Sequence, residues 1–303
     1  MKPRVCVLLS SYNGAPYLRE QVESVMAQQG DFDLILHIRD DGSTDDSPQL
    51  LEKLREEYPG RLFYEKGENM GLNASFFRLL DQAPESDYYA LCDHDDKWLP
   101  GKIQAAVGAL SGQKGPALYA CTSRVTDRDL NPMGQTRPRK RPLVPANTLI
   151  QNICPGHNQV MNQALRELVR RPRQVDRIYV YDLWIANTAA LYGKIIFDNT
   201  PRTLYRQHTG NELGYGRGGL GRLIKAGRRA MAGEGGKNKK QMAFFLEENR
   251  NALESLGLAK PVEGLLSADS FGKRLRFALH CPFYRQSRWE TLAFKLAVIF
   301  GRY

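Results

Sequence analysis

Four times in its first 110 residues the chain follows a short apolar run with a stretch of helical period, and few folds accommodate that order. RVCVLLSS (4–11) is a continuous apolar run of buried-strand length; Pro16 then opens a helix in which Leu18, Val22, Val25 and Met26 recur at helical spacing until Gly30. LILHIR (34–39) reads as a second strand that ends in the turn-rich DDGSTDDSP, and the helix after it, running to Tyr58, sets Leu50, Leu51 and Leu54 on one face. RLFYE followed by NASFFRLLDQA, and DYYALC followed by LPGKIQAAVGAL, repeat the pair twice more. Such alternation joins strands through crossover helices, so the expected fold is α/β, with a mostly parallel sheet covered on both faces.

In sheets of this kind ligands collect at the carboxyl ends of the strands, where loops and helix N-termini converge. Three strands end in polar loops, SSYNG (10–14), RDDGSTDD (39–46) and CDHDD (92–96), and one crevice can take all three. DDGSTDD by itself reads as a turn followed by a helix cap. CDHDD is more constraining: Asp93 and Asp95, two apart on an extended segment, share a face and repel each other unless a cation or proton intervenes. Carboxylate oxygens with few other ligands suit Mg²⁺ or Mn²⁺, which keep open positions for water and phosphate oxygens. A solvated loop that caps the next helix is the plainer alternative. Neither G-x-x-x-x-G-K-S/T nor a G-x-G-x-x-G after the first strand occurs, so a diphosphate would have to be met by metal rather than by a glycine-rich cradle.

Composition narrows the class further. A hydrophobic content of 42% and a charged content of 25% are ordinary for a globular protein, and 303 residues make one large domain or one domain with an appendage. Cys6, Cys92, Cys121, Cys154 and Cys281 are scattered without a CxxC pair, which indicates neither a disulfide framework nor a zinc cluster and fits a reducing cytosol. MKPRVCVLLSSYNG is too briefly apolar for a signal peptide or membrane span, so a cytoplasmic location is expected. The net charge of +10 is unevenly placed: residues 212–303 hold 17 Lys and Arg against 8 Asp and Glu, a balance of +9. The rest of the chain is almost neutral.

Four segments in order, VCVLLSSYNGAPYLREQVESVMAQQ, LHIRDDGSTDDS, YYALCDHDDKWLPGKI and YDLWIANTAALYGKIIFDNTPRTLYRQHTGN, resemble the family 2 glycosyltransferases of GT-A fold. Within that family the likeness is to bacterial rhamnosyltransferase-like enzymes and others that build O-antigen and capsule polysaccharide. The resemblance covers about residues 4–211. It implies a Rossmann-like catalytic domain over 1–211, with a nucleotide-binding half to about 125 and an acceptor half from about 126, followed by a basic helical region over 212–303.

Site roles follow from the same resemblance. Ser10 and Tyr12 sit where the family binds the nucleotide, with the aromatic ring against the base. Asp41 would accept a hydrogen bond from the base imide, with Asp40 supporting its loop. Asp93 and Asp95 match the DXD motif, Asp93 near the ribose and Asp95 as a direct ligand of Mn²⁺ or Mg²⁺; Asp96 is a candidate for the ion's outer ligands, and His208 matches a histidine that closes over the metal or diphosphate. Asp182 matches the acidic general base, although by sequence alone it reads as the N-cap of the helix LWIANTAALYG. Arg206 reads equally as a phosphate contact or a salt-bridge partner. These roles imply an inverting transfer from a nucleotide-diphosphate sugar, dTDP-rhamnose or a UDP-hexose, to a hydroxyl of a glycan or lipid-linked saccharide.

The chain departs from the family pattern at three places. ENMGLNASF keeps Asn69 and Gly71 but carries Ser75 where the family often has Asn, with Asn73 nearby. In GHNQVMN, His157 replaces a small residue beside the acceptor. In RQSRW (285–289), Gln286 and Arg288 stand one residue closer than in the QxxRW of processive synthases, which argues against that activity.

The basic tail has its own signature. RLIKAGRRAMAG (222–233) and residues 271–303 pair Lys and Arg with Leu, Phe, Trp and Tyr at helical spacing, and Trp289, Leu292, Leu296 and Ile299 form an apolar stripe. A basic amphipathic helix reads as an element that lies on an anionic membrane surface, here the inner face of the cell membrane, or as a helix packed on the catalytic domain. A nucleic-acid binder would use the same charge, but no recognition motif accompanies it, so no nucleic-acid partner is expected. A non-catalytic scaffold would not need Asp93, Asp95 and Asp182. A phosphatase built on DHDD would need a matching Lys in an ordered set that the sequence lacks.

Overall fold

The computed structural model describes residues 2–172, 174–208 and 234–303. Strand β1 (Arg4–Ser11) lies between β2 (Asp33–Asp40) and β4 (Tyr88–Asp93), with β3 (Leu62–Lys66) outside β2, and all four run parallel. Every residue of β1 after Arg4 is buried, because the strand has helices on both sides. Its odd-numbered apolar residues Val5, Val7 and Leu9 pack against α1 (Ala15–Met26), α2 (Ser47–Glu57) and α4 (Lys102–Leu110). The even-numbered Cys6 and Leu8 pack on the other face against α3 (Leu72–Gln82).

The second half of the sheet is mixed. β6 (Ala117–Thr126) is separated from β4 by the four-residue β8 (Gln159–Asn162), which runs antiparallel to both. β9 (Lys194–Arg206) pairs parallel to β6 and carries β5 (Lys97–Trp98) antiparallel on its far edge, while β7 (Pro132–Gln135) forms a hairpin on β6. β8 follows a 3-10 turn at Gly156–Asn158 and passes directly into α6 (Gln163–Val169), whose cap is the Asn162 side chain accepting from Leu165 N at 3.1 Å. So short a segment is a strand only because both neighbours pair with it. A short α5 (Pro145–Thr148) and the longer α7 (Tyr181–Tyr192) complete this half.

Among the described residues five helices follow: α8 (Glu234–Glu248), α9 (Arg250–Ser255), α10 (Ala259–Leu266), α11 (Phe271–His280) and α12 (Arg288–Ile299). Met242, Phe244, Val262, Phe294 and Val298 from this region join the same buried cluster as Leu8, Phe76 and Trp184. Trp184 of α7 stacks on Phe244 at 5.4 Å and meets the edge of Phe245 at 5.1 Å. Gln241 accepts from the backbone N–H of Tyr179 and Val180, each at 2.8 Å, and so holds the entry to α7. The stretch RLIKAGRRAMAG lies outside the described residues. Among those described, no helix is long and apolar enough to cross a membrane.

Replacing Trp184 with Ala removes the anchor between α7 and α8. The expected cost is about 3–5 kcal/mol of stability, as for other buried aromatic truncations, with amide exchange rising first in residues 236–248. A variant with wild-type melting and protection would show that the helices after residue 233 are held by something else.

Candidate active site

Strand register collects the site. Ser10 of β1 pairs with Arg39 on β2 and with Asp93 on β4, so the polar ends of the three strands stand level. The loops beyond them are bonded to one another: Asn13 N donates to Ser43 Oγ at 2.8 Å, Thr44 N to Asn13 Oδ1 at 2.8 Å and Gly14 N to Ser47 Oγ at 2.9 Å. Gly14 also lies close to the ring of His94, so that a Cβ there would collide with it. The loop bearing Tyr12, the loop bearing Asp41 and the DHDD loop thus meet.

Around the expected nucleotide site, Ser10 is buried and its hydroxyl shares a 2.7 Å hydrogen bond with that of Ser75, while Tyr12 is 47% exposed. Asp41 is turned inward. Its Oδ1 takes the Arg39 guanidinium and Met70 N at 3.0 Å, and its Oδ2 takes Gly71 N at 2.9 Å. Gly71 has φ of +82°, a backbone that favours glycine, and this lets two successive N–H groups face one carboxylate. Arg39 in turn donates to Glu68 O and to Ser75 Oγ. Ser75 at the departed position is therefore part of a buried brace. Asn73 bonds Tyr179 O and Tyr181 N, both at 2.8 Å, and so ties α3 to α7.

At the end of β4, three carboxylates in four residues draw counter-charges from distant parts of the chain. His208 Nε2 lies 2.8 Å from Asp95 Oδ2, with its ring stacked on Tyr17 at 4.8 Å. Arg206 is almost completely buried: its Nε donates to Asp95 O at 2.9 Å, its guanidinium reaches Glu20 and Arg128 O, and its backbone N–H donates to Asp96 Oδ1 at 3.1 Å. Arg206 is thus ion-paired with Glu20, but buried rather than at the surface. His157, seated by β8, brings Nδ1 to 3.5 Å from Asp93 Oδ2 and 3.8 Å from Asp96 Oδ2, with its ring stacked on Tyr205. Beneath it the wholly buried Lys102 donates to His157 O at 2.6 Å and Thr203 Oγ1 at 2.9 Å, and burial depresses its pKa.

These groups fit a divalent cation. One ligand atom each from Asp93, Asp96 and His157 lies within 4.8 Å of the others, and Asp96 Oδ2 is buried with no hydrogen-bond partner among the described residues. An oxygen-rich set with one imidazole suits Mn²⁺ or Mg²⁺ better than a thiophilic metal. Burial drives the Asp96 pKa up to about 8; His157 opposes the rise, and Asp95 and Asp93 add to it. Burial works against a charged His157, but Asp96 and Asp93 outweigh it and raise its pKa. We read the pair as sharing one proton near neutral pH.

Asp182 is 8% exposed and sits inside the first turn of α7; Val180 is the N-cap. The expected N-cap position is thus corrected by two residues, because the entry to the helix is fixed by Asn73 and Gln241 rather than by its own side chain. The Asp182 carboxylate accepts from Asn152 Nδ2 at 2.9 Å, Leu183 N at 2.7 Å and Gly156 N at 3.1 Å. Gly156 is required there, since a Cβ would overlap the Tyr181 hydroxyl. Burial raises the Asp182 pKa, the three donors oppose that, and the negative charge of Asp93 adds to it. Through Gly156 and its neighbour His157, the Asp182 helix is joined to the β4 carboxylates. Sequence reasoning placed His157 near the acceptor and did not single out Lys102; their partners lie 34 to 101 residues away, a separation that no spacing rule reveals. A surface groove of about 840 Å³ lies at the other end of the strands, lined by Arg4, Phe32, His37 and Phe63, and holds none of the site residues.

Comparison with known proteins bears on this geometry. The sequence model of the family described as Glycosyl transferase family 2 matches residues 6–170. The chain is 34% identical over 108 residues to an uncharacterized glycosyltransferase of Nostoc, a match covering 34% of this chain and 32% of that protein. It is 31% identical over 106 residues to the dTDP-rhamnosyl transferase RfbG of Shigella flexneri, covering 34% and 36%. The matched stretch thus spans about a third of the length of these curated relatives. Among solved structures, S. aureus TarS 1–349 in complex with UDP-GlcNAc superposes with a TM-score of 0.55 at 16% identity, over 98% of this chain and 91% of that one. Mannosyltransferase PcManGT from Pyrobaculum calidifontis, in complex with GDP-Man and Mn²⁺, superposes with 0.57 at 17% identity, over 100% and 87%. These structures share the fold.

The shared proton has a measurable effect. Unfolded histidine releases its proton near its ordinary value of 6.5, whereas in the folded pair both groups are shifted upward, so a proton is kept to higher pH. The folded state therefore binds more protons in that window, and stability falls as pH rises through it. In metal-free protein, Asp96→Asn should flatten this pH dependence of Tm, because His157 loses its main counter-charge; a variant with the wild-type slope would refute the pairing.

Proposed function

The chain belongs to glycosyl transferase family 2, and on that basis we propose that it moves a sugar from a nucleotide-diphosphate donor to a hydroxyl of a glycan or lipid-linked saccharide, with inversion, in bacterial surface-polysaccharide synthesis. The observation that carries this reading is the joining of a buried carboxylate, Asp182, to the aspartates at the end of β4 through Gly156 and His157. One group is placed to take a proton, and the others to hold a cation beside a diphosphate. The donor is dTDP-rhamnose or a UDP-hexose, in keeping with the names of relatives and neighbours that use dTDP-rhamnose and UDP-GlcNAc.

Tyr12, exposed on the loop after β1, offers its ring to the base, and Ser10 supports that loop from beneath. Asp41 has a lone pair on Oδ2 beyond the one that takes Gly71 N, and the base imide N–H is its partner in this reading. Asp93 stands near the ribose. Asp95 and His208 would hold Mn²⁺ or Mg²⁺, with the cluster of Asp93, Asp96 and His157 offering further ligand atoms; the ion, when bound, offsets negative charge on the departing diphosphate. Asp182 accepts the proton of the acceptor hydroxyl as that oxygen approaches the anomeric carbon from the face opposite the leaving group. A single displacement with oxocarbenium character then needs no covalent enzyme intermediate.

The domain reading follows: residues to about 125 serve the donor, 126–211 the acceptor, and 212–303 seat the enzyme at the inner face of the membrane. Incubation with a panel of nucleotide sugars, with and without Mn²⁺, tests the whole. Asp95→Asn should abolish turnover of every donor. Asp182→Asn should keep donor binding near wild type and slow transfer by about 10²–10⁴-fold, the usual contribution of a positioned base. Wild-type rates in either variant would remove that residue's role.

Because Asp182 must be ionised to accept the proton and its pKa is raised, transfer should fall on acidification at a pH above the ordinary aspartate value of 3.8. An acid limb at or below that value would mean that another group is the base.

A further inference from the structure

Seven of the fourteen large apolar side chains that stand exposed among the described residues belong to the last two helices and the residue after them. On α11 they are Phe271, Leu275 and Leu279, four apart, at 61%, 38% and 70% exposure. Along α12 they are Trp289, Leu292, Leu296 and Phe300, at 80%, 46%, 44% and 66%. Three- and four-residue spacing puts each set on a single stripe of its helix. The residues these helices bury are others: Ala278 on α11, and Phe294 and Val298 on α12. Ile299, expected in the stripe, is half-buried.

Charge identifies what covers this face. Residues 271–303 contain seven Lys and Arg and one acid, Glu290, a balance of +6. Glu290 is already engaged with Arg137 and Gln151. Arg276 and Arg288 are exposed alongside the apolar stripes. A second copy of the chain would bring two faces of +6 together, which like-charge repulsion opposes. The twelve residues of α12 are about 18 Å long, short of the ~30 Å of a hydrocarbon core, and Lys295 interrupts their apolar surface.

We propose that α11 and α12 form a docking face for an anionic lipid bilayer, with Trp289 and the leucine and phenylalanine stripes in the headgroup boundary and the basic side chains against lipid phosphates. Large apolar side chains interleaved with Lys and Arg are the composition that holds a helix in that plane. Each cation near an anionic surface multiplies partition by about fivefold. That docking presents the site to a lipid-linked acceptor rests on the function proposed above; the binding itself does not.

Trp289 supplies the probe, because Trp98 and Trp184 are each 2% exposed and Trp289 is 80% exposed. The full chain is mixed with vesicles of phosphatidylcholine, with or without phosphatidylglycerol, and scored by co-sedimentation and by quenching of tryptophan fluorescence with brominated acyl chains. We expect sedimentation and quenching only with phosphatidylglycerol, weakening at high salt. The double variants Trp289→Ser with Leu296→Ser, and Arg276→Glu with Arg288→Glu, should each lose at least tenfold in binding while melting and hydrolysing donor like wild type. Failure to bind anionic vesicles, equal binding to neutral ones, or undiminished binding by both variants would overturn the proposal, as would a stable dimer abolished by the serine variant or retention on DNA instead of vesicles. Donor hydrolysis without vesicles is measured on the same samples, so loss of docking with hydrolysis intact refutes only the membrane face, and the converse refutes only the catalytic reading.

Discussion

Three aspartates within four residues at the end of β4 cannot all stay charged and close without cations, and the second half of the chain is arranged around that repulsion. β9 ends in Arg206 and leads to His208, which meet Asp96 and Asp95. β8, wedged between β4 and β6, brings His157 against Asp93. A sheet of parallel strands alone would leave the β4 carboxylates facing only the uncharged loop of β1 and the acidic loop of β2. The antiparallel insertion is thus tied to the charge it accompanies. Repulsion left over after these contacts would favour a divalent ion at the proposed site.

A second buried pair supports the neighbouring loop. Arg39 and Asp41 sit 2% exposed each, and the carboxylate also gathers two backbone N–H groups from the loop before α3. Buried ion pairs are weak sources of net stability, but losing one partner leaves a stranded charge at a cost of about 3–5 kcal/mol. The pair therefore acts more as a constraint on where residues 68–71 run than as a reserve of stability.

The first half of the fold was legible because each strand and helix there carries its own signal: the continuous apolar run in RVCVLLSS marks β1 as a buried strand, and both its faces join apolar clusters. β8 was not legible, since QVMN has no period long enough to detect and becomes a strand only through its neighbours. Within the proposed site, the paired aspartates of CDHDD stood out by local repulsion, and the family resemblance pointed to Asp182 and His208. The links between them were hidden. His157 looked like an acceptor-side oddity, Arg206 was ambiguous between phosphate and carboxylate, and Asp182 looked like a cap, because in each case the deciding partner comes from another element. Lys102 carried no signal of its own in the sequence, yet it is buried and donates to His157 O.

The seam between α7 and α8 limits how this chain can be divided. Gln241 fixes the backbone two residues before Asp182, and Phe244 with Phe245 covers the indole two residues after it. A cut near residue 211 would strip both supports from the proposed base. The C-terminal helices are therefore no exchangeable cassette: a chimera that borrows another enzyme's tail must also import a matching surface for α7, and the unit that recombines is the tail together with that helix.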